Sequence, residues 1–130
     1  MRLYTTILVA GLVSLALVLL GFWWAPFAVG LVVGAVAPRP WVALPAGAGI
    51  GLLSWLIPLG VAHSRYGLGP TAGALAAIMG FDGKAPLPVV LTLVVATLLG
   101  LAGAWLGSAA RGLTAAAAGD RLRRTDKVVR

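Results

Sequence analysis

The sequence predicts an all-α fold: a polytopic membrane helical bundle with four transmembrane helices and one short interfacial or re-entrant helix. Apolar residues make up 61% of the 130 residues and charged residues 10%, whereas a soluble globular domain averages about 25% charged residues. The few charged residues also separate long apolar runs that carry no charge. This composition cannot coat a soluble fold with polar groups. It therefore excludes a soluble enzyme, a disordered tail and, with no cysteine, a disulfide-stabilised secreted module.

The first charge-free run covers residues 3–38 and is too long for one membrane crossing. A straight helix of that length would extend about 54 Å, whereas the hydrocarbon core of a bilayer is about 30 Å thick. Two adjacent tryptophans, which favour the membrane–water interface, precede Pro26, and proline favours the first turn of a helix. We therefore predict transmembrane helices over 3–21 and 24–37, the second ending where two prolines flank Arg39.

The next run predicts a third transmembrane helix over 41–62. The polar and glycine-containing segment 63–70 then predicts an interfacial loop. Residues 71–81 are apolar but too short to span a membrane. They predict either a short helix lying at the interface or a re-entrant half-helix of the kind that lines a permeation path.

The last run predicts a fourth transmembrane helix over 88–110. An alanine-rich segment follows and favours continuation of the helix as far as Gly119, where we expect it to stop. The predicted domain organisation is thus one transmembrane helical domain, 1–119, followed by a basic tail, 120–130.

The basic residues predict the orientation of the chain. With four spans, eight of the ten Lys and Arg residues lie on one side and only Arg65 and Lys84 lie on the other. The positive-inside rule then places both termini in the cytoplasm of a multi-pass cell-membrane protein. If 24–37 does not cross, the ratio becomes seven to three, so the charges fix the tail inside but barely distinguish three spans from four. Lipid headgroups are the expected partners of the basic residues at the cytoplasmic end: Arg111, Arg121, Arg123, Arg124, Lys127 and Arg130.

Small residues recur at a spacing of four along the predicted helices. In lipid, helices associate where small residues let backbones approach, because burying large apolar side chains gains little there. These residues either pack the helices of one chain together or form a face for a homo-oligomer or a larger complex. The candidate helix-packing residues are Gly30, Gly34, Gly47, Gly51, Ala96, Gly100, Gly103, Ala104, Gly107 and Ser108.

The predicted spans contain hydroxyl side chains but no ionisable group, which disfavours proton-coupled transport by this chain alone. We expect the hydroxyls, those of Ser14 and Ser54 included, to bond carbonyls of their own helices. His63 is the only imidazole, and one histidine without a second ligand is a poor metal or haem site. Asp82 and Lys84 are expected to lie at helix ends. We therefore predict no catalytic residue, no metal and no cofactor.

Two function classes remain. The first is a non-catalytic integral membrane protein, an accessory or scaffold subunit that binds other transmembrane helices and lipids but not nucleic acid. The alternative is a homo-oligomeric channel or transporter with 71–81 as a re-entrant element and a water-accessible cavity lined by Thr92, Thr97 or Ser54. A third hypothesis, an electron-transfer subunit, depends on His63 alone.

Overall fold

A computed structural model describes the backbone of residues 2–129 and the side chains of residues 4–121 and 124. Residues 2–129 form five α-helices and no strand, so the prediction of an all-α fold is confirmed. The helices are α1 (Arg2–Leu19), α2 (Ala25–Val36), α3 (Pro40–Tyr66), α4 (Gly69–Ile78) and α5 (Pro86–Val129).

Proline and glycine set the boundaries of the first three helices. After α1, Gly21 adopts a φ of +94°, a left-handed conformation that only glycine takes without strain. Pro26 lies in the first turn of α2, where the missing N–H costs nothing. Pro38 follows α2, and Pro40 begins α3. The two turns lie where the sequence predicts breaks in the apolar runs.

α3 is longer than the predicted span, and the predicted interfacial loop over 63–70 is wrong. The helix continues through Tyr66, so only residues 67 and 68 separate α3 from α4. Polar side chains do not break a helix, whereas Gly67, with a φ of +68°, does. Its N–H donates to the carbonyl of His63 and closes the last turn of α3.

α5 is 44 residues long and passes through the predicted stop at Gly119, so that expectation is wrong. The glycines with positive φ are Gly21, Gly67, Gly80 and Gly83 among residues 2–129, and Gly119 keeps a helical conformation. At 1.5 Å per residue, α5 extends about 66 Å, which is twice the thickness of a hydrocarbon core. One continuous helix therefore crosses the predicted boundary between 1–119 and 120–130.

α2 and α3 lie in the middle of the bundle, with α1 on one side and α5 on the other. α5 packs along both of them, α1 contacts both of them, and α4 packs on α5. On the α1 side, the buried residues Val29, Val33 and Ile50 form a core that Ile7 and Leu17 of α1 partly cover.

The bundle has two ends. At the first end, the side chain of Arg111 in α5 donates to the backbone between α2 and α3. The start of α1 lies at this end too, because Ile7 shares a groove with Pro45 of α3. At the opposite end, His63 of α3 and Pro86 of α5 line one cavity.

Two helical segments are long and apolar enough to cross a membrane: Pro40–Tyr66 and Pro86–Arg121. The other apolar helices, Tyr4–Leu19, Ala25–Val36 and Gly69–Ile78, are shorter. Large apolar side chains are also exposed on the outer faces of several helices, Leu12 and Leu98 among them. An exterior this rich in apolar side chains favours association with a membrane.

Candidate functional site

α5 and α3 meet in a seam where glycines bring their backbones into direct contact. A Cβ atom placed on Gly47 would lie 2.5 Å from the carbonyl oxygen of Gly100. A Cβ placed on Gly51 would collide with the carbonyl group of Ala96, and one on Gly100 would collide with the carbonyl of Gly47. Real Cβ atoms essentially never come within 3.0 Å of such atoms, so the two backbones touch here because these positions carry no side chain.

The seam continues on α2. A Cβ on Gly30 would lie 2.5 Å from the Gly100 carbonyl oxygen, and one on Gly34 would lie 2.9 Å from the Cα of Ala104. Ala104 itself is fully buried. Glycine therefore lets α2 and α3 approach the same short stretch of α5.

Two further glycines of α5 face α2. A Cβ on Gly103 would collide with the carbonyl of Phe27, and one on Gly107 would lie 2.8 Å from the backbone nitrogen of Ala35. We call the set that brings α5 against α2 and α3 the glycine seam; it consists of Gly30, Gly34, Gly47, Gly51, Ala96, Gly100, Gly103, Ala104 and Gly107. All nine belong to the candidate packing set, and their neighbours in the seam lie within this same chain. They are therefore not available to a partner unless the bundle opens.

Ser108, the tenth member of that set, differs from the rest. Its hydroxyl donates to the carbonyl of Trp105 in its own helix at 2.8 Å. The hydroxyls of Thr92 and Thr97 likewise donate to carbonyls of α5, those of Pro88 and Leu93. These three hydroxyls satisfy the backbone locally and leave the packing to their small neighbours.

Sequence reasoning missed a hydrogen bond between α1 and α3. Ser54 donates from its hydroxyl to that of Ser14 at 2.8 Å, with the two residues 2% and 0% exposed. The expectation that these serines bond only their own helices is therefore wrong. An apolar surrounding makes a hydroxyl pair favourable, because neither group has water as an alternative. The two positions are 40 residues apart, and no local pattern links them.

Arg111 fastens α5 to the end of α2. Its guanidinium donates to the carbonyl of Ala37, and its second terminal nitrogen donates to that of Pro38 at 3.4 Å. Carbonyls at a helix C-terminus have no partner within the helix and carry partial negative charge, so a cation stabilises them. Among the described side chains the ion pair found joins Arg124 to Asp120, on the outer part of α5, and does not involve Arg111.

The other candidate lipid-headgroup residues lie on the outer part of α5 or beyond it. The side chain of Arg124 lies 3.3 Å from Asp120 in an exposed ion pair one helical turn apart. The backbone at Arg121, Arg123 and Lys127 is helical, while Arg130 and the side chains of Arg123 and Lys127 lie outside the described residues.

Exposed titratable residues lie near the opposite end of the bundle. His63 is exposed in the last turn of α3, and Asp82 and Lys84 are exposed in the turn between α4 and α5. Within the described part of the chain, no three His, Cys, Asp or Glu residues form a group that would hold a metal ion.

Two grooves lie beside α1. One, of about 730 Å³, separates α1 from α2 and is lined by Thr5, Val9 and Val29 among others. The other, of about 350 Å³, separates α1 from α3.

Comparison with protein-family models gives no match, and comparison with curated proteins and with solved structures gives none either.

Proposed function

We propose that this chain is a non-catalytic, multi-pass membrane protein that serves as an accessory or scaffold subunit of a membrane assembly. Its helical bundle anchors α5, and the part of α5 that projects beyond the bundle binds the partner. We call this part, residues 113–129, the α5 extension. The observation that carries the proposal is the length of α5: the helix is exposed from Ala109 through Arg121, yet it remains helical to Val129.

The glycine seam supports an anchoring role for the bundle rather than a partner-binding role. Its small residues face helices of the same chain, so partner binding through these faces would require the chain to unpack. A scaffold subunit built on this bundle must therefore bind its partner elsewhere. The α5 extension is the candidate because Leu113 and the alanines that follow it are exposed.

The α5 extension is suited to bind an acidic protein surface. Residues 113–129 carry four Lys and Arg and two Asp, and Arg130 follows them in the sequence. Alanine has the highest helix propensity, and the Asp120–Arg124 pair adds an i,i+4 contact, so the sequence favours the helix. An isolated helix of this length is only marginally stable in water, and a partner surface would stabilise it.

Distance favours a protein partner over lipid headgroups for these charges. We propose that Arg111, which lies beside the junction of α2 and α3, is at the membrane interface. A straight α5 then carries Val129 about 27 Å farther out, whereas the headgroup layer adds only about 5–8 Å beyond the hydrocarbon. Screening limits the attraction of exposed charges to about 8 Å at physiological salt. We therefore assign the basic residues after Arg121 to a partner in the cytoplasm.

The proposed topology has four crossings with both termini in the cytoplasm. The ends of the bundle support it: the start of α1, the α2–α3 junction and Arg111 share one end, whereas His63 and Pro86 share the other. This grouping separates the basic residues as the positive-inside rule requires. α2, with 12 residues, reaches only about 18 Å, so its crossing needs local thinning of the bilayer.

The polar residues suggested for a channel lie apart. Thr92 lines a largely apolar cavity with Trp55 and Leu75, whereas Ser54 lines the groove between α1 and α3 and bonds to Ser14. Thr97 bonds to a carbonyl of its own helix. We therefore keep the accessory-subunit proposal.

The test is gentle extraction from the native membrane followed by native mass spectrometry. We expect the wild-type chain to carry a second, different polypeptide, and a chain truncated after Gly112 to lose it while remaining folded. Arg65→Gln, which removes a basic residue at the opposite end of the bundle, is the matched control and is expected to retain the partner. Recovery of a lone homo-oligomer from the wild type would overturn the proposal in favour of the channel.

A further inference from the structure

We propose that the groove between α3 and α5 at the Arg111 end of the bundle binds one anionic phospholipid, with the phosphate at Arg111 and an acyl chain along the groove. This inference depends on the proposed location of that end at a membrane interface, and it does not depend on the proposed protein partner.

The groove has the size and lining of a ligand site. Its volume is about 590 Å³, within the range of about 300–1,000 Å³ typical of small-molecule sites. Trp41 and Trp105 form two of its walls and are 84% and 60% exposed, although both are large aromatic side chains. Leu44 and Ala109 contribute apolar surface between them.

The polar part of the groove matches a phosphate. Arg111 lines it, and the guanidinium is held in place by its bonds to the carbonyls of Ala37 and Pro38. A guanidinium has five N–H donors, so these two bonds leave three for another acceptor. No ion pair involving Arg111 is found among the described side chains. The site therefore presents a fixed cation whose charge a phosphate would neutralise.

The polarity of the groove matches the direction of a lipid. Trp105 lies six residues before Arg111 in α5, which places it about 9 Å deeper in the bundle. Leu44 likewise lies inside α3, beyond its first turn. Arg111 thus has large apolar side chains on its inner side, whereas Trp41, Gly112 and Ala115 line the groove near its level or farther out. An acyl chain would run inward from the phosphate along Trp105 and Leu44.

Charge complementarity selects the headgroup. A zwitterionic lipid brings its own cation beside the phosphate, whereas an anionic lipid leaves a net negative charge for Arg111. The phosphate of either lipid accepts a charge-assisted hydrogen bond from Arg111, so the net charge of the headgroup makes the difference. Arg111 joins α5 to the junction between α2 and α3, so a lipid bound to Arg111 would also stabilise the start of the α5 extension.

The experiment is native mass spectrometry of the full chain from nanodiscs that contain phosphatidylcholine and increasing fractions of phosphatidylglycerol. We expect one phosphatidylglycerol molecule to stay bound to the wild type in preference to phosphatidylcholine. Arg111→Gln is expected to weaken that binding about tenfold, the size of effect expected on losing a charged hydrogen-bond donor. Arg65→Gln, at the other end of the bundle, is expected to bind like the wild type.

A second variant keeps the test decisive if Arg111→Gln unfolds the end of α2. Ala109→Trp fills the groove from an exposed position and leaves the Arg111 bonds intact, so it should also release the lipid. Equal retention of both lipids by the wild type would overturn the proposal. So would full retention of phosphatidylglycerol by Ala109→Trp, or an equal loss in Arg65→Gln, which would indicate attraction by overall charge rather than a site.

Discussion

The two sides of the α2–α3 pair are packed by different physical means. On the α5 side, glycines bring backbones into direct contact, and Gly100 and Ala104 each touch both neighbouring helices. On the α1 side, branched side chains such as Val29 and Val33 separate the backbones, two grooves remain open, and one buried serine pair supplies the polar contact. Backbone contact maximises dispersion interactions where lipid removes the hydrophobic gain from burial. We therefore expect α2, α3 and α5 to form the rigid unit and α1 to be the more easily displaced helix.

The largest expected effect comes from breaking the seam. Gly47→Leu should lower the free energy of unfolding by about 3 kcal/mol, because a branched side chain would meet the backbone of Gly100 and neither helix can yield locally. Thermal unfolding followed by circular dichroism in detergent would measure it.

Gly49→Leu is the matched control for that variant. It lies two residues away on α3, where a Cβ meets nothing within 4 Å. If the two leucine variants unfold at the same temperature, the seam does not hold the bundle together, and the contrast between its two sides is lost.

The same contrast explains how far the sequence leads. Composition and proline positions suffice for the helical class and for the turns around Pro26 and Arg39, because these signals are local. The sequence does not predict that α3 ends at Tyr66 or that α5 continues past Gly119. These glycines end a helix only where φ is left-handed, as it is at Gly67 and is not at Gly119. Polarity and glycine content alone do not reveal that conformation.

The packing residues show a similar limit. A spacing of four places Gly47 and Gly51 on one face of a helix, but it does not state which helix covers that face. The Ser14–Ser54 bond depends on the register between α1 and α3, a tertiary property with no local signal. The sequence thus predicts which residues are small enough to pack, and the fold decides that they pack within the chain.

The next largest effect is expected on the α1 side, at the Ser14–Ser54 pair. Ser14→Ala should cost about 1 kcal/mol, because Ser54 loses its acceptor and must bond a carbonyl of its own helix instead. Adding Ser54→Ala should cost little more, since removal of both partners leaves no unpaired group. Equilibrium unfolding of the two single variants and the double variant gives the coupling energy. Strictly additive losses would show that the serines act independently and that α1 is held by side-chain packing alone.

The smallest expected effect is at Gly11 of α1, and its sign is opposite to that of the same change in the seam. Gly11→Ala in α1 should raise the free energy of unfolding by about 0.5–1 kcal/mol, because alanine reduces the freedom of the unfolded chain. Its Cβ would lie 4.0 Å from Cγ1 of Ile50, an ordinary contact that adds to the core. The same change in the seam, Gly100→Ala, should destabilise the protein, since its Cβ would meet the carbonyl of Gly47 and lie 3.1 Å from the nitrogen of Gly51. Each variant differs from the wild type by one methyl group, and both are measured under the same detergent conditions. The sign of the change at Gly100 therefore decides whether backbone contact, rather than glycine content, distinguishes the two sides.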